Sequence, residues 1–273
     1  MFFFLFDPIN ISLIVTALLN LSLGVLIFTG WRKKINIVFS LNIMAVISWT
    51  LAMFFYRSST PEFNLLWCTI LYVTPTLIAS SFLYFTYIFP SQKEKYIWWR
   101  TLLIFGINLA IIVMVIWPGF IIKEVNVRLG LEKQIIFTPY YWFYFIYTLE
   151  FFSFGFFRLF IKYFKSKGIE RLQIIYLVTG YSLAANFAFI TNLIMPWIGY
   201  FLFNWLGQIF TLIGVGSTAY AILRYRLMDI RVMFRKVVIY FVSAGFAYGA
   251  FYLITWLYNK SFGGVYTNGA YVL

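Results

Sequence analysis

The chain has 273 residues, of which 63% are hydrophobic, 24% are aromatic and 11% are charged, and its mean hydropathy is +0.88. No water-soluble core requires so apolar a composition, so these values exclude an ordinary soluble protein and predict an integral membrane protein. The formal net charge of +13 does not indicate nucleic-acid binding, because most basic residues lie in short gaps between hydrophobic segments. Attraction to anionic lipid headgroups explains basic residues in such gaps.

Hydrophobic segments predict an all-α polytopic membrane bundle with seven spans and an eighth. Each segment has about the 20 residues that a hydrocarbon layer roughly 30 Å thick requires. No basic residue precedes the first segment, so we expect it to be a true span and not a cleaved signal peptide. The segments are Ile9–Gly30, Ile35–Tyr56, Leu65–Phe89, Thr101–Trp117, Tyr140–Ile161, Leu172–Met195, Phe203–Leu223 and Val237–Tyr258.

The gaps between the segments carry a topological signal. Sixteen of the 21 basic residues lie in the first, third, fifth and seventh gaps or, for Arg158, close to the edge of one. Positive charge in short loops marks the cytoplasmic side of a membrane, so these four gaps are predicted to face the cytoplasm. The N-terminus is then outside, and we expect a multi-pass protein of a bacterial inner membrane.

Two features interrupt this regular pattern. Pro75 lies inside the third segment, where it predicts a kink that neighbouring helices can accommodate. The gap from Pro118 to Pro139 contains two stretches that alternate apolar and charged residues around Gly130. This alternation predicts a short β-hairpin.

One ionisable side chain lies deep in a span. Glu150 is halfway along the fifth segment, and Asn108 and Asn186 lie at similar depth in the fourth and sixth, roughly 14 to 15 Å from the outer surface at 1.5 Å per residue. We expect the three to form an inward polar cluster, with Gln208 nearer the surface. The cluster is either a functional pocket or a structural hydrogen-bonded contact between helices, since intramembrane carboxyl groups usually point inward and have partners.

The residue types exclude several kinds of chemistry. Cys68 is the only cysteine and there is no histidine, which excludes intramolecular disulfides, histidine-ligated zinc and bis-histidine haem. Membrane proteases and most lipid transferases need paired carboxylates, a histidine dyad, a metal or an activated serine. In the spans, Glu150 is an isolated carboxylate. We therefore expect no enzyme activity, metal or cofactor in this chain.

The eighth segment contains Gly245 and Gly249, a GxxxG spacing that allows two membrane helices to approach closely. This spacing favours either a contact within the bundle or the seam of a homodimer. The sequence leaves both alternatives open.

The seventh gap reads YAILRYRLMDIRVMFRKVVIY from Tyr220 to Tyr240. It resembles the exit of the N-terminal seven-transmembrane region of bacterial sensor histidine kinases. The FTYIFP stretch from Phe85 to Pro90 and the GIERLQIIYLVTGY stretch from Gly168 to Tyr181 extend the resemblance over most of the chain. The resemblance implies a sensory input role, and none of its residues is a catalytic signature.

Basic residues of the seventh gap alternate with apolar ones and can lie at the lipid headgroups. The resemblance favours a signal connector over a simple membrane anchor. The connector residues are Arg224, Arg226, Asp229, Arg231 and Arg235. The predicted organisation is a sensor module at 1–223, a connector at 224–236, and an eighth span with a short outer tail at 237–273.

We interpret the chain as the sensory input module of a two-component histidine kinase, embedded in the lipid bilayer. Because the eighth span returns the chain to the outside, we expect the chain to be truncated and the cytoplasmic output domain to act in cis or in trans. The alternative is a self-contained permease or channel that uses Glu150 as its coupling group.

Overall fold

The computed structural model describes residues 7–28, 34–90, 98–127 and 133–224, and these residues form a helical bundle with one hairpin. The helices are α1 (Pro8–Phe28), α2 (Lys34–Ser58), α3 (Pro61–Ile88), α4 (Trp98–Ile116), α5 (Tyr141–Lys165), α6 (Gly168–Ala188) and α7 (Leu206–Arg224). A π-helix (Phe189–Ile194) and a short helical turn (Met195–Trp197) extend α6. Strands β1 (Ile122–Asn126) and β2 (Gln134–Phe137) lie between α4 and α5.

Hydropathy explains why these segments are helical and where they begin. Six of the helices are long and apolar enough to cross a membrane, and α7 has a shorter apolar stretch. In hydrocarbon, a helix satisfies the backbone hydrogen bonds of a spanning segment internally. The predicted all-α membrane bundle is confirmed, and the first seven predicted segments match the seven helices to within four residues at each end when α6 is counted with its extension to Trp197. The predicted eighth span lies outside the described residues.

Helix ends follow local chemistry. Pro61 begins α3, at a position where its missing N–H costs no helical hydrogen bond. The extension of α6 ends at Gly199, which has φ +88°. The N–H of Tyr200 donates to the carbonyl of Met195 at 2.8 Å, and that of Gly199 to Pro196 at 3.0 Å. This pattern is a Schellman motif, which needs a residue with positive φ and therefore favours glycine.

The bundle is held together mainly by contacts between helices adjacent in the chain. The tightest pair is α6 and α7, where a Cβ added at Gly180 would lie 1.7 Å from Ser217 Oγ. Small residues permit this approach, because lipid provides no hydrophobic force between helices and close packing must replace it. The first and last described helices also touch, and Asn20 of α1 donates a hydrogen bond to Thr211 of α7 at 3.1 Å.

The predicted hairpin is confirmed, with β1 and β2 antiparallel and Val125 paired with Ile135. It lies beside the start of α3 and α5, where Phe137 packs against Tyr72 with ring centroids 5.4 Å apart. We call this the hairpin end of the bundle. The opposite, basic end carries Lys34, at the start of α2, and Lys165, at the end of α5.

Candidate functional site

A cavity of about 80 Å³ lies inside the bundle, and we call it the bundle cavity. Five elements contribute to its wall: α2, α3, α5, α6 with its π-helical extension, and α7. Space of this size holds about five to eight water molecules. None of the residues that line it is charged.

Aromatic side chains form much of the wall. Tyr181 of α6 stacks on Phe82 with ring centroids 4.7 Å apart, and its hydroxyl donates a hydrogen bond to Asn42. Asn42 in turn donates to the carbonyl of Ile78 at 3.1 Å. These hydrogen bonds tie α2, α3 and α6 together at the deeper part of the cavity, which is otherwise apolar.

The π-helix forms the cavity wall nearer the hairpin end. Asn192 and Leu193 belong to this segment and line the cavity. The hydroxyl of Tyr141 donates to the carbonyl of Leu193 at 3.0 Å, which anchors the π-helix to α5. π-Helical segments are rare and occur frequently at functional sites, because they rotate the side chains beyond them relative to an uninterrupted α-helix.

A polar cluster lies beside this segment. The amide of Gln208, which is fully buried, lies 3.3 Å from Asn192 Oδ1, and in its satisfied orientation it donates to the carbonyls of Asn204 and Trp205 at 2.9 Å. Thr211 lines the cavity and accepts a hydrogen bond from Asn20, and the buried Oδ1 of Asn20 has no hydrogen-bond partner among the described residues. The cluster therefore links α1, α6 and α7 at one level of the bundle.

Two lining side chains are left with polar groups that make no hydrogen bond to the described residues. Asn204, in the turn before α7, and Tyr72 of α3 are each 5% exposed. The Asn204 amide and the Tyr72 hydroxyl make no side-chain hydrogen bond within the described parts of the chain, and neither is among the fully buried polar atoms that lack a partner. Both residues line the bundle cavity, so a molecule inside it can reach polar groups that are otherwise unsatisfied.

Lys133 attaches the hairpin to the rest of the hairpin end. Its ammonium group donates to the carbonyl of Tyr56 at 2.5 Å, to that of Ser59 at 2.8 Å and to Asn64 Oδ1 at 2.6 Å. Burial of the ammonium group and the nearby charge of Arg57 lower the pKa of Lys133 from 10.5 to about 8. Arg57 itself forms an ion pair with Asp7 at 2.9 Å.

The structure does not bring the predicted cluster together. Asn108 is buried and donates to the Tyr147 hydroxyl at 2.8 Å, whereas Glu150 is exposed on the outer surface of α5. Asn186 is also exposed, and it donates to the carbonyl of Ser182 on its own helix at 2.7 Å. The predicted inward position of Glu150 is therefore wrong. Equal depth along three helices does not fix the rotation of each helix about its own axis.

Of the four residues predicted for this cluster, Gln208 is the one placed beside the bundle cavity. Arg224 ends α7 and is the last described residue. The other predicted connector and packing residues lie outside the described part of the chain, namely Arg226, Asp229, Arg231, Arg235, Gly245 and Gly249.

Sequence reasoning missed Asn192, Asn204 and Thr211, although asparagines within or next to apolar segments were visible. Glu150 is the ionisable residue deep in a span, but its side chain is exposed and does not line the cavity. Within the described ranges, no three histidine, cysteine or acidic residues lie close enough together to hold a metal ion.

The chain matches a known family over most of its length. The family is described as the N-terminal 7TM region of histidine kinase, and it matches residues 12–231. The match covers all seven helices in whole or in large part and the first residues beyond α7. No curated protein matches the chain.

Proposed function

Because the chain belongs to the family of N-terminal 7TM regions of histidine kinases, a membrane sensory input region, we propose that it detects its stimulus in the bundle cavity and relays it through α7. The receiver is a cytoplasmic kinase region that acts in cis or in trans. The observation that carries this proposal is the position of α7, which lines the cavity with Thr211, Gly214 and Val215 and ends at Arg224.

The length of α7 suits it to this role. Arg224 is the thirteenth residue after Thr211, which corresponds to about 20 Å along a helix axis. A stimulus that favours one position of α7 in the cavity therefore also changes where the connector begins. A ligand shifts such an equilibrium only if it binds one state better than the other, and contacts made directly to α7 supply that difference.

Contacts at the cavity also suggest which elements move together. The close approach at Gly180 and Ser217 couples α6 to α7, so the two helices respond as a pair. The π-helix of Phe189–Ile194 gives α6 a place where a small change in helical winding is accommodated. A helix shift of about 1 to 2 Å is a common size for such transitions.

The proposal includes an orientation in the membrane and the pairing of two copies of the chain. The hairpin end faces outward and the basic end faces the cytoplasm of a bacterial inner membrane, as positive gaps favour. The connector at 224–236 lies at the inner headgroups. Pairing of two copies through the Gly245 and Gly249 segment gives a homodimer.

The permease alternative has no support from the described residues. A permease of this kind would use Glu150 as its coupling group. The carboxyl of Glu150 is exposed on the outer surface of α5 and does not line the bundle cavity. Uptake or current from this chain alone in vesicles remains the result that would revive it.

The relay is tested by charge reversal in the connector of a kinase that receives this input. We expect Arg224→Glu, Arg231→Glu and Arg235→Glu together to change kinase autophosphorylation per molecule in membrane vesicles while leaving membrane abundance within about twofold. The matched control reverses Lys93, Lys95 and Arg100, which belong to another basic gap. Loss of abundance with unchanged phosphorylation per molecule would show that the connector only anchors the chain.

A further inference from the structure

We propose that the bundle cavity binds a small neutral molecule with an apolar body and one hydrogen-bonding group, and that Asn204 recognises that group. This inference rests on the proposed function only for the consequence of binding, since it names the ligand class of the same cavity. It follows from the charge, the size and the unsatisfied polar groups of the cavity.

The absence of charge in the lining excludes ionic ligands. None of the lining residues is acidic or basic, and neither Lys133 nor Glu150 is among them. A carboxylate or ammonium ligand would lose its hydration on entering and gain no partner of opposite charge. That loss is large, so a neutral molecule is favoured.

The volume sets the size of the ligand. A cavity of about 80 Å³ has room for about five to eight non-hydrogen atoms if each takes about the space of one water probe. Apolar residues such as Val46, Ile78 and Val215 line it together with aromatic rings. An apolar body of this size therefore fills the cavity without requiring the helices to separate.

Polar recognition is concentrated toward the hairpin end. The Asn204 amide is 5% exposed, lines the cavity and has no hydrogen bond to the described residues. An amide can both donate and accept, so it suits a hydroxyl or carbonyl group on the ligand. The hydroxyl of Tyr72, which also lines the cavity, is a second group that can donate or accept a hydrogen bond. Both groups face the cavity and not a packed interior, so the polar group of a ligand can take the place of water there and form the hydrogen bond.

A second pocket lies next to the bundle cavity at the hairpin end. It has a volume of about 470 Å³ and lies between β2 and the turn after α6, with Phe137, Trp197 and Phe201 in its lining. Pro196 lines both this pocket and the bundle cavity. Because Pro196 separates the two spaces, the hairpin end is the side from which we expect a small molecule to enter the cavity.

The test measures binding by the full chain in lipid nanodiscs, without any kinase. Trp49 lines the cavity, so the ¹⁹F NMR signal of 5-fluorotryptophan at this position, assigned by its loss in Trp49→Phe, reports on occupancy. The probes are 1-hexanol, hexane and hexanoate at pH 8, which share a carbon number and differ in polarity and charge. We expect a saturable shift with 1-hexanol, about 3- to 10-fold weaker binding of hexane, and no saturable shift with hexanoate.

Variants identify the recognising group. Asn204→Leu should bind 1-hexanol and hexane equally, whereas Asn186→Leu, an exposed asparagine on α6, should keep the discrimination. If Asn204→Leu does not fold, Tyr72→Phe, which removes one hydroxyl from the lining, is measured instead. The difference between its affinities for 1-hexanol and hexane should be smaller than in the unchanged chain. Ala188→Leu should abolish saturable binding by filling the cavity.

Three outcomes would overturn the inference. Equal binding of hexanoate would refute a neutral ligand, and preserved discrimination in Asn204→Leu would refute the role of Asn204. A Trp49 signal that shifts in proportion to probe concentration without saturation would show that the probes partition only into lipid. Each of these leaves the relay through α7 untouched, because the connector variants test the relay separately.

Discussion

At the scale of single residues, the environment of Lys133 determines its protonation. The ammonium group is surrounded by carbonyl and amide oxygens, yet its burial and the charge of Arg57 lower its pKa to about 8. A lysine exposed to water keeps its proton up to a pH of about 10.4. Lys133 is therefore a local reporter of whether the hairpin stays attached to the α2–α3 turn.

We predict that labelling of the Lys133 amine by a membrane-impermeant acylating reagent rises with a midpoint near pH 8, measured by mass spectrometry. The sign of the stability effect follows from the lowered pKa. Between pH 8 and 10.5 the unfolded chain holds a proton that the folded chain has released, so raising the pH through this window stabilises the folded state relative to Lys133→Met. A midpoint near 10.5 would mean that the hairpin is detached.

The contrast between Asn108 and Glu150 gives a second prediction at this scale. Asn108→Leu removes a buried hydrogen bond to Tyr147 and should destabilise the chain by about 0.6 kcal/mol, the average for such bonds in membranes. Glu150→Leu replaces an exposed ionisable group inside a span and should leave thermal stability in detergent equal or higher. If Glu150→Leu destabilises the chain more than Asn108→Leu does, Glu150 belongs to an inward cluster after all. Short-linker crosslinking between cysteines at 150 and 186 would lead to the same conclusion.

At the scale of elements, the α6–α7 pair is the most sensitive contact in the described bundle. A Cβ at Gly180 would lie 1.7 Å from Ser217 Oγ and 3.0 Å from the carbonyl oxygen of Ile213. One of these atoms is backbone and cannot move without shifting α7. Helices α6 and α7, which we propose transmit the signal, are therefore also the two helices with the least space between them.

We predict that Gly180→Ala destabilises the chain by about 1 to 3 kcal/mol, the usual cost of overpacking, as measured by thermal unfolding in detergent. Gly106→Ala is the control, because a Cβ there meets nothing within 4 Å, and replacing a helical glycine should stabilise by about 0.4 to 1 kcal/mol. Ser217→Gly should partly rescue Gly180→Ala. Equal effects of the two alanine substitutions would contradict the close approach.

At the scale of the whole molecule, the bundle is asymmetric along its axis. The hairpin end carries β1, β2 and the Lys133 contacts, and the basic end carries the lysines that begin α2 and end α5. At the basic end, the ammonium group of Lys162 donates to the carbonyls of Thr86 and Phe89 at 2.7 and 2.8 Å. A cation at the end of α3 also interacts favourably with the helix dipole.

We predict the orientation by accessibility. In a Cys68→Ala background, a cysteine at Val127, which is 51% exposed in the hairpin loop, should react with an impermeant thiol reagent added outside intact cells. A cysteine at Asp229 should react only after the membrane is permeabilised. Labelling in the reverse order would place the hairpin end in the cytoplasm and overturn the proposed entry route.

The sequence by itself determined the elements of this protein. Seven helix positions, the hairpin and the charged ends could be read from the chain, because burial in hydrocarbon requires long apolar segments and turns require proline, glycine or alternation. The stretches from Phe85 to Pro90 and from Tyr220 to Tyr240 also indicated the family. These properties depend on residues that are close in the chain.

The tertiary structure alone decided which side chains meet. Asn108, Glu150 and Asn186 share a depth but face different directions, while Asn204, Asn192 and Tyr72 converge on one cavity from different parts of the chain. Depth follows from counting residues along a helix, whereas rotation depends on how neighbouring helices pack. The π-helix adds a further rotation after Ala188 that residue counting does not include. Packing between helices distant in sequence therefore formed the site.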